Sequence, residues 1–499
     1  MAVHNPQFGK VAERHDRAPL FDALTQYSAR GIQPFHTPAH RGTHALPGLE
    51  QLLTPVGLAC DLPSMDTLDS VFHPSGCLAD AQALAAELMG GGACFFLVNG
   101  ATIGVQAMIL AALNHGDKII LPRQVHVSTL AALTLSGAVP VYLPQRWLEA
   151  AGPIPPTDSD IETCLMDNPD ARAVLLTYPT YYGLGRPLHA IAKLCHARGI
   201  PLLVDEAHGA HLMFYGHAAI PTALSAGADA AVQSPHKTLG SLVGTAQLLL
   251  GKETLLDPER VRAAINLLSS TSSNYILMAS LDLARRHMAR NGSALFTQAF
   301  LASARLHAVL ARIDGLRPLE TAEHPALAGC FRDPLRLTID VSGLGLDGHA
   351  CERLLLNKYG LYDEFCDGRN IVCLLDPSDT PEAHARLANA LRHMARDCRG
   401  PVLPTDDREH VFPAPTIALA PREAFMRPRR RVALEAALGS VCGETISMYP
   451  PGIPLICSGE VVTDYIIARC RELVARPTVI YAQDPTLKTI TVLEPTTTR

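Results

Sequence analysis

Leu202-Leu203-Val204-Asp205-Glu206-Ala207-His208-Gly209 is followed, 25 residues on, by Ser234-Pro235-His236-Lys237-Thr238-Leu239-Gly240. An apolar run ends in an acidic pair. Residues 230–233 form a second apolar run, and a lysine stands just past it. The carboxyl ends of strands in an open α/β sheet are where ligands collect. Upstream, residues 94–98, 118–121, 139–143 and 173–177 are short apolar runs flanked by turn residues. Helix-like stretches at 79–88, 102–113 and 188–198 are interspersed with them. Buried strands alternating with helices predict an α/β fold with a large, mostly parallel sheet.

Further along, residues 255–305 read as helical, and 306–400 mix strands (335–341, 371–375) with helices, the pattern of a smaller α+β domain. Pro401, Pro404, Pro413, Pro415 and Pro421 mark a linker, and a helix-rich C-terminal region is expected after it. The expected organisation is an N-terminal segment (1–44), a large domain (45–305), a small α+β domain (306–400) and a C-terminal region (401–499).

A chain of 499 residues is too long for one core. It is 48% hydrophobic and 18% charged, which is the profile of a well-buried globular protein. A formal charge of -6 without a basic block argues against nucleic acid or an anionic membrane as partner. Thirteen cysteines without a CxxC pair form neither a disulfide framework nor a zinc ribbon, so no metal is expected. The first twenty residues carry charges throughout and no apolar core, so no secretory signal is read there. Residues 93–113 have the length of a membrane span. They are interrupted by Asn99, Gly100, Thr102, Gly104 and Gln106, and read as strand, turn and buried helix. A cytoplasmic location is the expectation.

The DEAH string at 205–208 also occurs in ATPases, but that reading needs a P-loop. The nearest string, from Gly244 to Glu253, has six residues between its glycines and a glutamate where Ser or Thr is required. A lone lysine after a strand is ordinarily a solvated surface residue. Lys237 instead stands between His236 and Thr238, with Ser234 close by and Asp205 at a neighbouring strand end. A lysine beside a carboxylate at the mouth of a sheet can form the imine that pyridoxal 5′-phosphate (PLP) requires, while the carboxylate keeps the pyridine nitrogen protonated. Phosphate is gripped by backbone N–H groups at a helix start together with hydroxyls. The turn Gly100-Ala101-Thr102 supplies the first. His126, after the 118–121 run, offers a flat ring that can stack on a pyridine.

These strings together resemble the ornithine/lysine/arginine decarboxylase family of the aspartate-aminotransferase fold (fold type I), and especially its short bacterial and cyanobacterial arginine-decarboxylase-like members. The likeness covers nearly the whole chain: HTPAHRG (36–42), FFLVNGATIG (95–104), LPRQVHVS (121–128), YPTYYG (178–183), LLVDEAHGAH (202–211), QSPHKTLGSL (233–242), STSSNY (270–275), YPPGIPL (449–455) and SGE (458–460).

By this resemblance Lys237 is the Schiff-base lysine, Asp205 the pyridinium partner, His126 the stacking ring and Ala207 the small residue under the other face. Gly100, Ala101, Thr102, Ser234 and His236 grip the phosphate, and His208 borders the cofactor. Glu364, in Gly360-Leu361-Tyr362-Asp363-Glu364, matches an acidic position near the substrate's distal cation; a plain surface glutamate is the alternative. Family members usually carry Ser or Thr where this chain has Ala101, so one phosphate hydroxyl is missing.

The implied reaction is α-decarboxylation of a basic amino acid, with arginine giving agmatine and CO₂, a step of polyamine biosynthesis. Lys237 or His236 would return the proton. Lysine or ornithine as substrate, or an aminotransferase or lyase reaction, are the alternatives. For transamination Arg332, Arg336 and Arg369 are available to hold a carboxylate. The resemblance also implies a homodimer or higher homo-oligomer, with residues 270–275 reaching the neighbouring subunit.

Overall fold

The structure is a computed structural model and describes residues 13–42, 48–216, 220–398, 400–449, 453–474 and 479–495. Residues 450–452 of the YPPGIPL motif lie outside them. Contacts divide the chain into two compact units, Met1–Ala112 with His196–Phe296, and Leu113–Cys195 with Thr297–Arg499.

In the first unit the strands Ala93–Leu97, Ala246–Leu250, Ala230–Gln233 and Leu202–Asp205 lie side by side in that order. Leu202–Asp205 and Ala230–Gln233 run parallel, with Asp205 opposite Val232. Ala246–Leu250 runs antiparallel to both of its neighbours. All four are buried, and their Ala, Val and Leu content is that of strands covered on both faces. Strand direction has a direct consequence. Leu97, Asp205 and Gln233 all end at one edge, and Ala246 starts there. The turns 98–102, 205–208 and 234–237 therefore gather at the same end of the sheet. The helix Gly100–Ala112 lies over the strands so closely that a Cβ on Gly104 would stand 2.7 Å from Val232.

In the second unit Ala171–Thr177, Lys118–Leu121 and Val139–Tyr142 form a parallel run. A separate antiparallel sheet is built from Arg317–Pro318, Arg336–Asp340, Asn370–Leu374 and Phe365–Cys366, with the helices Gly348–Tyr359 and Pro381–Asp397 in the same region.

Three expectations are corrected. Residues 255–305 are not one helical run: Pro258–Leu268 ends at Ser269 in extended backbone, and a 36-residue helix begins at Tyr275. The proline-rich linker contains a strand, His410–Phe412, paired with Gln145–Leu148. The C-terminal region is richer in strands than in helices. Its described residues hold the pair Arg429–Ala433/Thr489–Leu493 and the sheet Pro454–Ile456, Ile446–Tyr449, Val479–Tyr481. The helices there are Pro421–Met426 and Asp464–Val474, plus a 3₁₀ turn. The reason is burial: Ile446, Ile456, Val462, Ile490 and Val492 share one small core with Ile466, Ile467 and Cys470 of the longer helix. β-branched residues pack well on such a half-buried pleat. No helix among the described residues is long and apolar enough to cross a membrane.

Candidate active site

Most of the residues singled out for the cofactor meet within the first unit. Asp205 ends its strand with only 6% of its surface exposed. Its Oδ1 accepts a hydrogen bond from the Ala207 N–H at 3.2 Å, and its Oδ2 takes none among the described residues. The Lys237 ammonium donates to His208 Nε2 at 2.8 Å, so these two motifs touch directly. His236 donates from Nδ1 to the Thr245 carbonyl at 2.5 Å, leaving Nε2 as the nitrogen that carries the lone pair. Burial first, and the Lys237 charge beside it, push the His236 pKa below its ordinary value, which favours the neutral ring.

The phosphate-grip candidates can be judged from their hydrogen bonds. Gly100 sits at φ +72°, a left-handed turn that suits glycine, and its N–H is committed to the Gly244 carbonyl at 2.7 Å. The N–H groups of Ala101 and Thr102 occupy the first helical turn, where no intrahelical acceptor exists. Ser234 Oγ and Thr238 Oγ1 are buried and have no hydrogen-bond partner among the described residues. Buried hydroxyls without partners are costly and call for an explanation. Helix-start N–H groups, uncommitted hydroxyls, a buried carboxylate and an amine on adjoining turns fit a phosphorylated pyridine aldehyde.

Glu206 was given no role in the sequence reading and is a centre of order here. It is fully buried. Its Oε1 accepts from Ala223 N–H at 2.8 Å and its Oε2 from Gln233 Nε2 at 2.7 Å. Gln233 in turn accepts from Gln247 at 2.8 Å. This chain of side chains crosses from the strand behind Asp205 to the strands on either side of the lysine turn. Burial raises the Glu206 pKa to about 7. The signal was visible as Gln233 and Gln247, two polar residues inside apolar strands.

His126 belongs to the second unit, where it caps the helix Val127–Ser136. Its Nδ1 accepts from the Ser128 N–H at 3.2 Å and contacts the Ser128 hydroxyl at 2.9 Å. Nearby, Arg123 forms a buried ion pair with Glu460 at 3.0 Å, which joins the 121–128 motif to the Ser458-Gly459-Glu460 motif.

Glu364 is exposed, and the Tyr181 hydroxyl donates to its Oε1 at 2.9 Å. Tyr182 donates to Asp367 at 2.7 Å. The 178–183 motif therefore holds the segment from Glu364 to Asp367 at both ends. Of the three arginines considered for a carboxylate, Arg369 is held by Asp340 at 2.8 Å and Asp407 at 2.7 Å. Arg336 is fully buried, its guanidinium 5.5 Å from the Tyr181 ring centre.

Comparison with known proteins agrees with this geometry. A family model described as "Orn/Lys/Arg decarboxylase, major domain" matches residues 18–383. The arginine decarboxylase of Halalkalibacterium halodurans is 35% identical, with 92% of this chain and 94% of that protein covered. The arginine decarboxylase of Bacillus subtilis is 34% identical over 89% of this chain and 91% of that protein. Among solved structures, the constitutive lysine decarboxylase of E. coli superimposes with a TM-score of 0.80 at 20% identity, covering 96% of this chain and 82% of that one. That structural likeness gives the fold, and the sequence likeness gives the membership: the chain belongs to the Orn/Lys/Arg decarboxylase family.

Proposed function

We propose that this protein is a PLP-dependent amino-acid decarboxylase that converts arginine to agmatine and CO₂. The observation that carries the cofactor part is the set of converging turns in the first unit: Lys237 on His208, Asp205 with a free oxygen, and the uncommitted Ser234 hydroxyl. The arginine part is supported by four relatives at 33–35% identity that are named arginine decarboxylase.

When bound, PLP supplies the electron sink for the pair released as the bond between Cα and the carboxylate breaks. The chain's own groups do the rest. Lys237 provides the amine for covalent attachment and a proton for Cα. His208, in hydrogen-bond contact with Lys237, would take the surplus proton of the ammonium before attachment, leaving the free amine, and hand it back so that Lys237 can protonate Cα. The Asp205 carboxyl group, at the buried end of the sheet, would face and stabilise a protonated ring nitrogen. Ser234 and the Ala101 and Thr102 N–H groups bind the phosphate. By the family resemblance His126 would supply a flat ring for the cofactor and Ala207 would leave room for it. His236, neutral and anchored to Thr245, holds the lysine turn in place.

Glu364, held by Tyr181, is the proposed acceptor for the distal guanidinium, a pairing that a planar fork of N–H donors favours. The ion pairs of Arg369 remove that one guanidinium from the candidates for holding a substrate carboxylate. A homodimer at least is part of the proposal, supported by the exposure of residues 270–272.

The test is incubation of PLP-loaded protein with arginine, lysine and ornithine separately, with mass spectrometry of the products. Agmatine as the dominant amine upholds the proposal. Cadaverine or putrescine would move the substrate, and a keto acid would replace decarboxylation by transamination.

A further inference from the structure

Away from the cofactor turns, in the second unit, a histidine, a glutamate and a cysteine meet where no CxxC spacing announced them. His349 and Glu352 stand three residues apart on the first turn of the helix Gly348–Tyr359, so they share a face. Cys366 lies on the strand Phe365–Cys366. The helix start is pressed against the turn that follows this strand. A Cβ on Gly348 would strike the carbonyls of Asp367 and Asn370, so glycine allows the approach.

Cys366 Sγ is 3.0 Å from His349 Nδ1. One ligand atom from each of the three residues falls within 4.8 Å of the others. Tetrahedral zinc with bonds of about 2.0–2.3 Å has ligand-to-ligand edges of roughly 3.3–3.8 Å, so side-chain rotations of about an ångström would close the set.

A second observation comes from Asp363. Asp363 is buried, with 7% of its surface exposed, and neither carboxylate oxygen has a hydrogen-bond partner among the described residues. Its charge acts on Cys366, and it interacts with Glu352. A buried carboxyl group without a partner is what a nearby divalent cation compensates.

We propose that His349 Nδ1, the Glu352 carboxylate and Cys366 Sγ form a zinc(II) site, with a water as the fourth ligand. Soft thiolate, imidazole and one carboxylate are a zinc donor set, and a harder ion such as magnesium or calcium would prefer oxygen alone. On binding, the Cys366 thiol loses its proton to solvent. The thiolate and the Nδ1 lone pair, previously joined by a hydrogen bond, both turn to the metal. The ion would clip the helix Gly348–Tyr359 to the strand Phe365–Cys366, which Glu364 immediately precedes.

The experiment uses the PLP-loaded enzyme stripped with a chelator, then titrated with Zn²⁺ and separately with Co²⁺. The expected result is one equivalent per chain. Co²⁺ should give a near-ultraviolet thiolate charge-transfer band in the difference spectrum against metal-free holoenzyme. Cys366→Ser should abolish the band while the other twelve cysteines stay in place, and Glu352→Gln should weaken metal affinity by at least about 10-fold. A band that survives in Cys366→Ser, or no tight equivalent in the wild type, would overturn the site. None of these readouts depends on which amino acid is decarboxylated.

Discussion

At the strand ends of the first unit, polar groups are fixed from behind: Glu206 holds Gln233 and the Ala223 N–H, Gln233 holds Gln247, and Lys237 rests on His208. At the rim of the second unit, the one acidic group matched to a substrate cation, Glu364, is exposed and held by a single tyrosine hydroxyl. The contrast separates two tasks. Bond breaking needs groups that do not reorganise, which burial and networks provide. Choice among cationic substrates needs a charge at an edge, which can be placed on a short strand at little structural cost.

The predictions press on this contrast, the largest first. Lys237→Ala should reduce turnover to background and remove the visible band of the covalently held cofactor; a retained band would put the attachment elsewhere and break the buried half of the comparison. Glu206→Gln should act through stability. The folded protein holds the Glu206 proton up to about pH 7, while the unfolded chain gives it up near the ordinary value of 4.5. The folded state therefore binds more protons across this window, and stability falls as pH rises through it. By pH 8 the loss is on the order of 3 kcal/mol. Glutamine, which carries no charge and can join the same amide chain, should match wild type at pH 5 and melt higher at pH 8. Equal melting temperatures at pH 8 would show that Glu206 is not the buried, uncharged group described.

At the rim the effects should be smaller and confined to substrate. Glu364→Gln is expected to raise KM for arginine about 10-fold, the value of one charge-assisted hydrogen bond, and to leave the cofactor band unchanged. An unchanged KM would assign Glu364 to the plain surface. Tyr181→Phe, which removes only the hydroxyl that steers Glu364, should raise KM by a few-fold, within about 1 kcal/mol. A larger effect than that of Glu364→Gln would mean that Tyr181 itself meets the substrate.

How much of this the sequence disclosed follows the same division. Leu202–Asp205 and Ala230–Gln233 were read to the residue, because fully buried strands are continuous apolar runs with turn residues at both ends. The residues proposed for the cofactor were legible because they sit at those ends. Arg429–Ala433 was not read as a strand: three consecutive arginines, none of them buried, hide a period of two, and its partner Thr489–Leu493 is sixty residues away. His410–Phe412 is three residues long and owes its pairing to Gln145–Leu148, far upstream. Likewise His349, Glu352 and Cys366 show no metal-like spacing, since the fold rather than the sequence brings the strand to the helix.

The pairing of Ala93–Leu97 with Ala246–Leu250 has a consequence for synthesis on the ribosome. Ala93 lies opposite Leu250, and the whole stretch between must be made before the two can meet. At about 5–20 residues per second that is a wait on the order of ten seconds. During this interval Ala-Cys-Phe-Phe-Leu is an apolar strand with no neighbour on that side, the kind of edge on which nascent chains adhere to one another. The arrangement that gathers the catalytic turns at one end of the sheet thus also makes them late to assemble, and gives a chaperone that shields apolar segments a defined place to act.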